Sequence, residues 1–124
     1  MREIRILKEL KHENIVNPIE VFRWKGKIFL VFEYVPHTLL EELENNPNGL
    51  VPLEVKKYMW QLIRGIEFVH QHNVIHRDVK PENLLISKHG ALKICDFGFA
   101  RFLSGPDSLY TDYVSTRWYN ILFP

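Results

Sequence analysis

The stretch His76-Arg77-Asp78-Val79-Lys80-Pro81-Glu82-Asn83, followed thirteen positions later by Asp96-Phe97-Gly98, decides how this sequence is read. Residues 84–87 and 91–95 are largely apolar and flank Lys88-His89-Gly90, which predicts a hairpin between the two motifs. A hairpin returns the chain toward its start, so the Asn83 amide oxygen and the Asp96 carboxylate are expected close together. Converging hard oxygens suit Mg²⁺, whose shell phosphates and water complete. Asp78 stands five residues before Asn83 on the loop facing them, where a carboxylate can orient a hydroxyl nucleophile and accept its proton. Lys80 offers a cation to negative charge gathered there, and Gly98 frees the backbone after Asp96. A charged surface loop is the ordinary meaning of such a run. Two motifs in order, separated by a predicted hairpin, argue against it.

Working outward, residues 2–11 place Ile4, Leu7 and Leu10 among charges, the pattern of an amphipathic helix. His12-Glu13-Asn14 breaks it, and Asn17-Pro18 marks a loop. Two β-rich runs, residues 19–24 and 28–32, flank the turn Lys25-Gly26-Lys27. Thr38 is a candidate helix cap, with Glu41 at the capping-box position and a short helix to about Leu43. The strongest helix starts at Pro52 and runs to about Gln71, with Val55, Met59, Leu62, Ile66 and Val69 as its apolar stripe. Gly65 inside it costs about 1 kcal/mol against Ala, which predicts a close packing contact there. From Asp96 onward no periodicity is visible. Helices and strands mixed in this order give an α+β fold.

The chain has 124 residues, 46% hydrophobic and 25% charged, which suits one small globular domain or part of a larger one. Sixteen basic and fifteen acidic side chains leave a net charge of +1, so no long-range field favours nucleic acid or an anionic membrane. Cys95 is the single cysteine, so no internal disulfide forms, and the six histidines lack the spacing of a zinc site. No run approaches the ~20 apolar residues of a membrane span, and the start lacks a signal peptide. A cytoplasmic or nuclear location is the expectation.

The motifs match residue for residue the H-R-D-x-x-x-x-N and D-F-G signatures of protein kinases, a known pattern rather than one deduced from spacing. With them in place, residues 1–119 resemble part of a eukaryotic Ser/Thr kinase domain, and most closely its cyclin-dependent-kinase-like family. The resemblance implies the kinase fold from the αC helix through the end of the small-lobe sheet, hinge, αD and αE helices, catalytic loop and activation segment. It implies ATP and Mg²⁺ as cofactors and transfer of the γ-phosphoryl group to a protein Ser or Thr. Asp78, Lys80 and Asn83 would be catalytic, and Asn83 and Asp96 would hold metal. Phe32 would guard the adenine pocket, backbone groups of Glu33 and Val35 would bond the base, and Leu85 would form the floor. Glu3 would pair with the phosphate-binding lysine. Thr111-Asp112-Tyr113 resembles a T-x-Y phosphorylation element, and Arg2, Arg77 and Arg101 the basic cluster that receives its phosphate. Thr116 resembles the threonine that bonds the catalytic aspartate and lysine. The implied partners are a Ser/Thr protein substrate and a regulatory protein or full-length kinase, with neither nucleic acid nor membrane.

Three departures qualify the resemblance. The sequence begins inside αC, without a Gly-rich loop or strand lysine, and Asn120 to Pro124 departs from the family's continuation. These mark it as truncated at both ends, with a divergent tail over residues 120–124 and little or no activity expected of the isolated chain. Without the C-terminal helices, Met59, Leu62 and Ile66 should be largely exposed, an aggregation or partner-binding surface. A non-catalytic binding or competitor module is the alternative reading.

Overall fold

Thr38 and Pro52 start two helices in the computed structural model, which describes residues 2–103, with side chains from Ile4 onward. Glu3 and Arg2 as side chains, Thr111, Tyr113, Thr116 and residues 120–124 therefore lie outside the described residues.

Helix α1 spans Arg2–Glu9 and buries Ile6 and Leu7, with Leu10 just beyond its end. Ile6 was not part of the expected stripe, yet it is fully buried, because the core contacts the i, i+4 row through Ile6 and Leu10. Strands β1 (Pro18–Trp24) and β2 (Lys27–Phe32) form an antiparallel hairpin. Its turn is tighter than the sequence suggested. Trp24 pairs with Lys27, leaving only Lys25 and Gly26, at φ 48° and 75°. Positive φ at both central residues is the primed turn whose twist matches the strands it joins.

Strand β3 (His37–Thr38) leads into α2 (Leu39–Asn45) through the expected capping box. The Thr38 hydroxyl accepts from Glu41 N–H at 3.1 Å, and Thr38 N–H donates to the Glu41 carboxylate at 3.2 Å. The long helix α3 spans Pro52–Gln71 with Pro at its first position, where the missing N–H costs nothing. Strand β4 (Val74–Ile75) precedes the motif at residues 76–83, a 3₁₀ turn covers Pro81–Asn83, and β5 (Leu84–Ile86) and β6 (Leu92–Ile94) form the second hairpin. The sheet order is β3-β5-β6. Residues after Asp96 are not wholly irregular, because β7 (Arg101–Phe102) pairs antiparallel with β4. Two residues are too few for a visible period.

Helix α3 buries Leu62, Gly65 and Val69 in the core with Leu10, Ile15, Leu92, Ile94 and Phe97. A Cβ on Gly65 would lie 2.8 Å from Ile94 Cδ1 and 3.2 Å from the Asn14 carbonyl oxygen, the close approach its position predicted. The expected exposure of the stripe needs correction. Met59 is exposed, but Leu62 is buried and Ile66 half-buried, because β6 covers that row. Val55 is exposed like Met59, and Leu53, Trp60 and Ile63, one row round the helix, are more open still.

The segment read as a helix-breaking loop is a bracket. The Asn14 side chain donates to Leu92 O at 2.9 Å, the Asn14 backbone carbonyl accepts from Ile94 N–H at 2.8 Å, and Val16 N–H donates to Ile94 O at 3.0 Å. These bonds tie the end of α1 to β6 and so fix the two walls of a cleft.

Candidate active site

Leu84 faces Ile94 in the β5–β6 register, and Cys95 N–H donates to Asn83 O at 2.9 Å. The hairpin therefore holds the backbone of Asn83 beside that of Cys95, with Asp96 next. On the other side, Asn83 Nδ2 donates to the Asp78 carbonyl at 2.8 Å and to its carboxylate at 3.1 Å. Both bonds leave from nitrogen, which fixes the amide orientation and leaves the oxygen Oδ1 for another partner. Lys80 Nζ lies 3.5 Å from Asp78 Oδ2 and 3.6 Å from Glu82 Oε2. Asp78 and Asn83 are buried, Lys80 is half-buried and Asp96 is exposed.

His76, quoted in the motif but given no role, organises this loop. Its Nδ1 accepts from Asp78 N–H at 3.1 Å, so its Nε2 must carry the proton and donate to Cys95 O at 2.8 Å. The ring also meets Phe97 edge-on, with centroids 4.8 Å apart. Burial pushes the imidazole below its ordinary pKa and outweighs the Cys95 carbonyl and the Asp78 and Asp96 charges, which act the other way. A neutral histidine thus locks the catalytic loop to the strand before Asp96. The signal was its place two residues before Asp78.

Backbone strain falls at the same place. Arg77 and Asp96 have φ of 69° and 58°, a left-handed conformation that costs a non-glycine residue about 1 kcal/mol. Asp96 offsets this with a local bond, Gly98 N–H to its Oδ1 at 3.2 Å. Arg77 Nε donates to Phe99 O at 2.7 Å. The Ile75–Arg101 pairing brings Arg101 to the strand that leads into Arg77. Arg101 donates to Ala100 O at 3.1 Å.

A cleft of about 310 Å³ opens beside Asp96, lined by Phe32, Glu33 and Leu85 together with Leu7, Val16 and Phe97. Four of the expected cofactor-binding residues, Phe32, Glu33, Leu85 and Asp96, share this cleft, and Val35 is not among its lining residues. Leu7, Val16, Cys95 and Phe97 were not anticipated, since apolar lining looks like core in a sequence. Burial, with the Asp96 charge adding to it, pushes the Cys95 thiol up to about 11. The Glu33 side chain points into a second bracket: its carboxylate meets Lys93 Nζ at 3.1 Å and accepts from Asn17 N–H at 3.2 Å.

The donor chemistry fits a nucleotide with a divalent cation: an apolar slot, an unengaged amide oxygen at Asn83, and an exposed carboxylate at Asp96. The protein kinase domain family matches residues 1–120. Mouse cyclin-dependent kinase-like 4 is 63% identical over 119 residues, which cover 96% of this chain and 34% of that protein. Human cyclin-dependent kinase-like 4 is 61% identical over 96% of the chain and 31% of its own length, and human cyclin-dependent kinase-like 2 is 59% identical, with 24% covered. The chain spans about a third or less of the length of these relatives. Protein kinases generally use ATP and Mg²⁺ and act on proteins. The chain belongs to the protein kinase domain family, on its Ser/Thr cyclin-dependent kinase-like branch.

Proposed function

We propose that protein carrying this sequence transfers the ATP γ-phosphoryl group to a Ser or Thr hydroxyl of a protein substrate. The observation that carries this is the bonding of Asn83 to Asp78, with Asp96 held alongside through the Cys95–Asn83 backbone bond. The adenine ring takes the apolar slot between Val16, Phe32 and Leu85. Asn83 Oδ1 and the Asp96 carboxylate hold Mg²⁺, which when bound neutralises phosphate charge. Asp78 orients the substrate hydroxyl and accepts its proton as oxygen attacks the γ-phosphorus and ADP leaves. Lys80, already against Asp78, stabilises charge on the transferring group.

Among the described residues, none lining the cleft is a cation. With those lining residues alone, weak grip on a polyphosphate and low turnover are expected. Thr111 and Tyr113 are the phosphorylation sites of this reading, with Arg2, Arg77 and Arg101 as receiving groups, Glu3 as lysine partner and Thr116 as support for Asp78. The test is phosphate transfer from labelled Mg-ATP by purified protein carrying this sequence. Asp78→Asn should lower it by about 10²- to 10⁴-fold while leaving nucleotide binding in place. Transfer that survives that change overturns the assignment.

A second reading, a non-catalytic competitor of a full-length kinase, draws on the exposed apolar residues of α3 and of the β1–β2 hairpin, among them Ile19, Trp24 and Trp60. Unchanged activity of a full-length relative titrated with this chain would remove it.

A further inference from the structure

A second groove, of about 580 Å³, lies between α3 and the β5–β6 turn and shares no residue with the catalytic cleft. Its walls are Lys56, Lys57 and Trp60 on the helix, and His89 and Gly90 on the turn. The floor is rigid. Gln61 donates to Lys57 O at 3.3 Å and to Gly90 O at 3.1 Å, while its oxygen accepts from Leu92 N–H at 2.8 Å. One side chain thus holds helix and turn at a fixed spacing.

Trp60 is 59% exposed, although indole is among the most costly surfaces to leave in water. The Arg64 guanidinium covers one ring face at 4.5 Å and is itself paired with Glu13 at 2.8 Å, which holds the indole in place. Among the described residues, no carboxylate lies within ion-pairing distance of Lys56, Lys57 or Lys88. Two lining cations, Lys56 and Lys57, without counter-charges among the described residues, therefore stand beside a fixed aromatic anchor, which is the make-up of a binding hot spot.

We infer that this groove docks an acidic segment of a protein partner, a bulky apolar side chain packing on Trp60 and carboxylates meeting Lys56 and Lys57. A nucleic acid would need a longer basic track, and Glu54 and Glu67 interrupt the helix on either side. Docking here needs no catalysis and leaves the cleft open, so it stands apart from the phosphoryl-transfer reading.

The experiment uses a fluorescent peptide of about twelve residues, Glu and Asp flanking a Leu-Ser-Leu core, read by anisotropy against the intact protein. Lys56→Glu with Lys57→Glu should weaken binding at least about tenfold, and Trp60→Ala by a similar factor. Raising salt should weaken it further. Asp78→Asn should change nothing, which separates docking from activity. Lys57→Met serves as a second variant that removes charge with little risk to the fold, since only the Lys57 backbone is bonded. Equal binding by parent and variants, equal binding of a peptide with Lys replacing every acid, or competition by heparin at matched charge as effective as by the acidic peptide would each overturn the assignment.

Discussion

Asn83 spends both its side-chain hydrogen bonds on Asp78, one on the backbone carbonyl at 2.8 Å and one on the carboxylate at 3.1 Å. The pair spans the catalytic loop and closes it before any ligand arrives. The loop's shape and its chemistry therefore depend on the same atoms. Asn83→Ala should lower stability by about 1.5–3 kcal/mol, the range for a bond to a charged acceptor left buried. It should also weaken Mg-nucleotide binding. Urea unfolding and calorimetry measure the two separately, and an unchanged midpoint would show that the bond contributes nothing to the fold.

His76 makes stability depend on pH in a defined direction. Its folded pKa is below the ordinary 6.5, so the unfolded chain takes up the proton first as pH falls. The contribution is complete above about pH 6.5 and declines from there toward the lower folded value. His76→Gln should flatten the change in unfolding free energy between about pH 7.5 and 5.5, where carboxylates titrate little. Parallel curves for the two proteins would contradict the buried, neutral assignment.

Gly65→Ala sets two effects against each other. Alanine favours a helix interior over glycine by about 1 kcal/mol. Against that, its methyl would meet Ile94 Cδ1 at 2.8 Å and the Asn14 carbonyl at 3.2 Å, and Ile94 is fully buried. Overpacking of this kind costs about 1–3 kcal/mol. The Asn14 carbonyl cannot retreat without breaking its 2.8 Å bond from Ile94 N–H. A net loss of about 1 kcal/mol is expected, and Gly65→Val should lose more. A rise in melting temperature for the alanine variant would show that the bracket yields.

Cys95 lines the cleft beside Asp96 but should react slowly. With its thiol near 11, little thiolate exists at neutral pH. Iodoacetamide should modify it roughly ten- to a hundred-fold more slowly than it modifies free glutathione. Mass spectrometry over a time course gives the rate. Labelling as fast as glutathione would mean that the cleft opens far more than the structure indicates.

What the sequence determined was local. The capping box at Thr38, the start of α3 at Pro52, the β5–β6 return and the Asp78–Asn83 spacing all involve partners a few residues apart, where type and order settle the geometry. Tertiary structure decided which row of α3 is covered, so that Leu62 is buried and Trp60 is not. It also turned Asn14 from a breaker into a clamp on Leu92, 78 residues away, and gave Arg101–Phe102 a strand partner in β4. The reason is that a pattern of apolar residues offers a surface without naming what covers it. Only the packed chain supplies the partner, and with it the walls of both grooves.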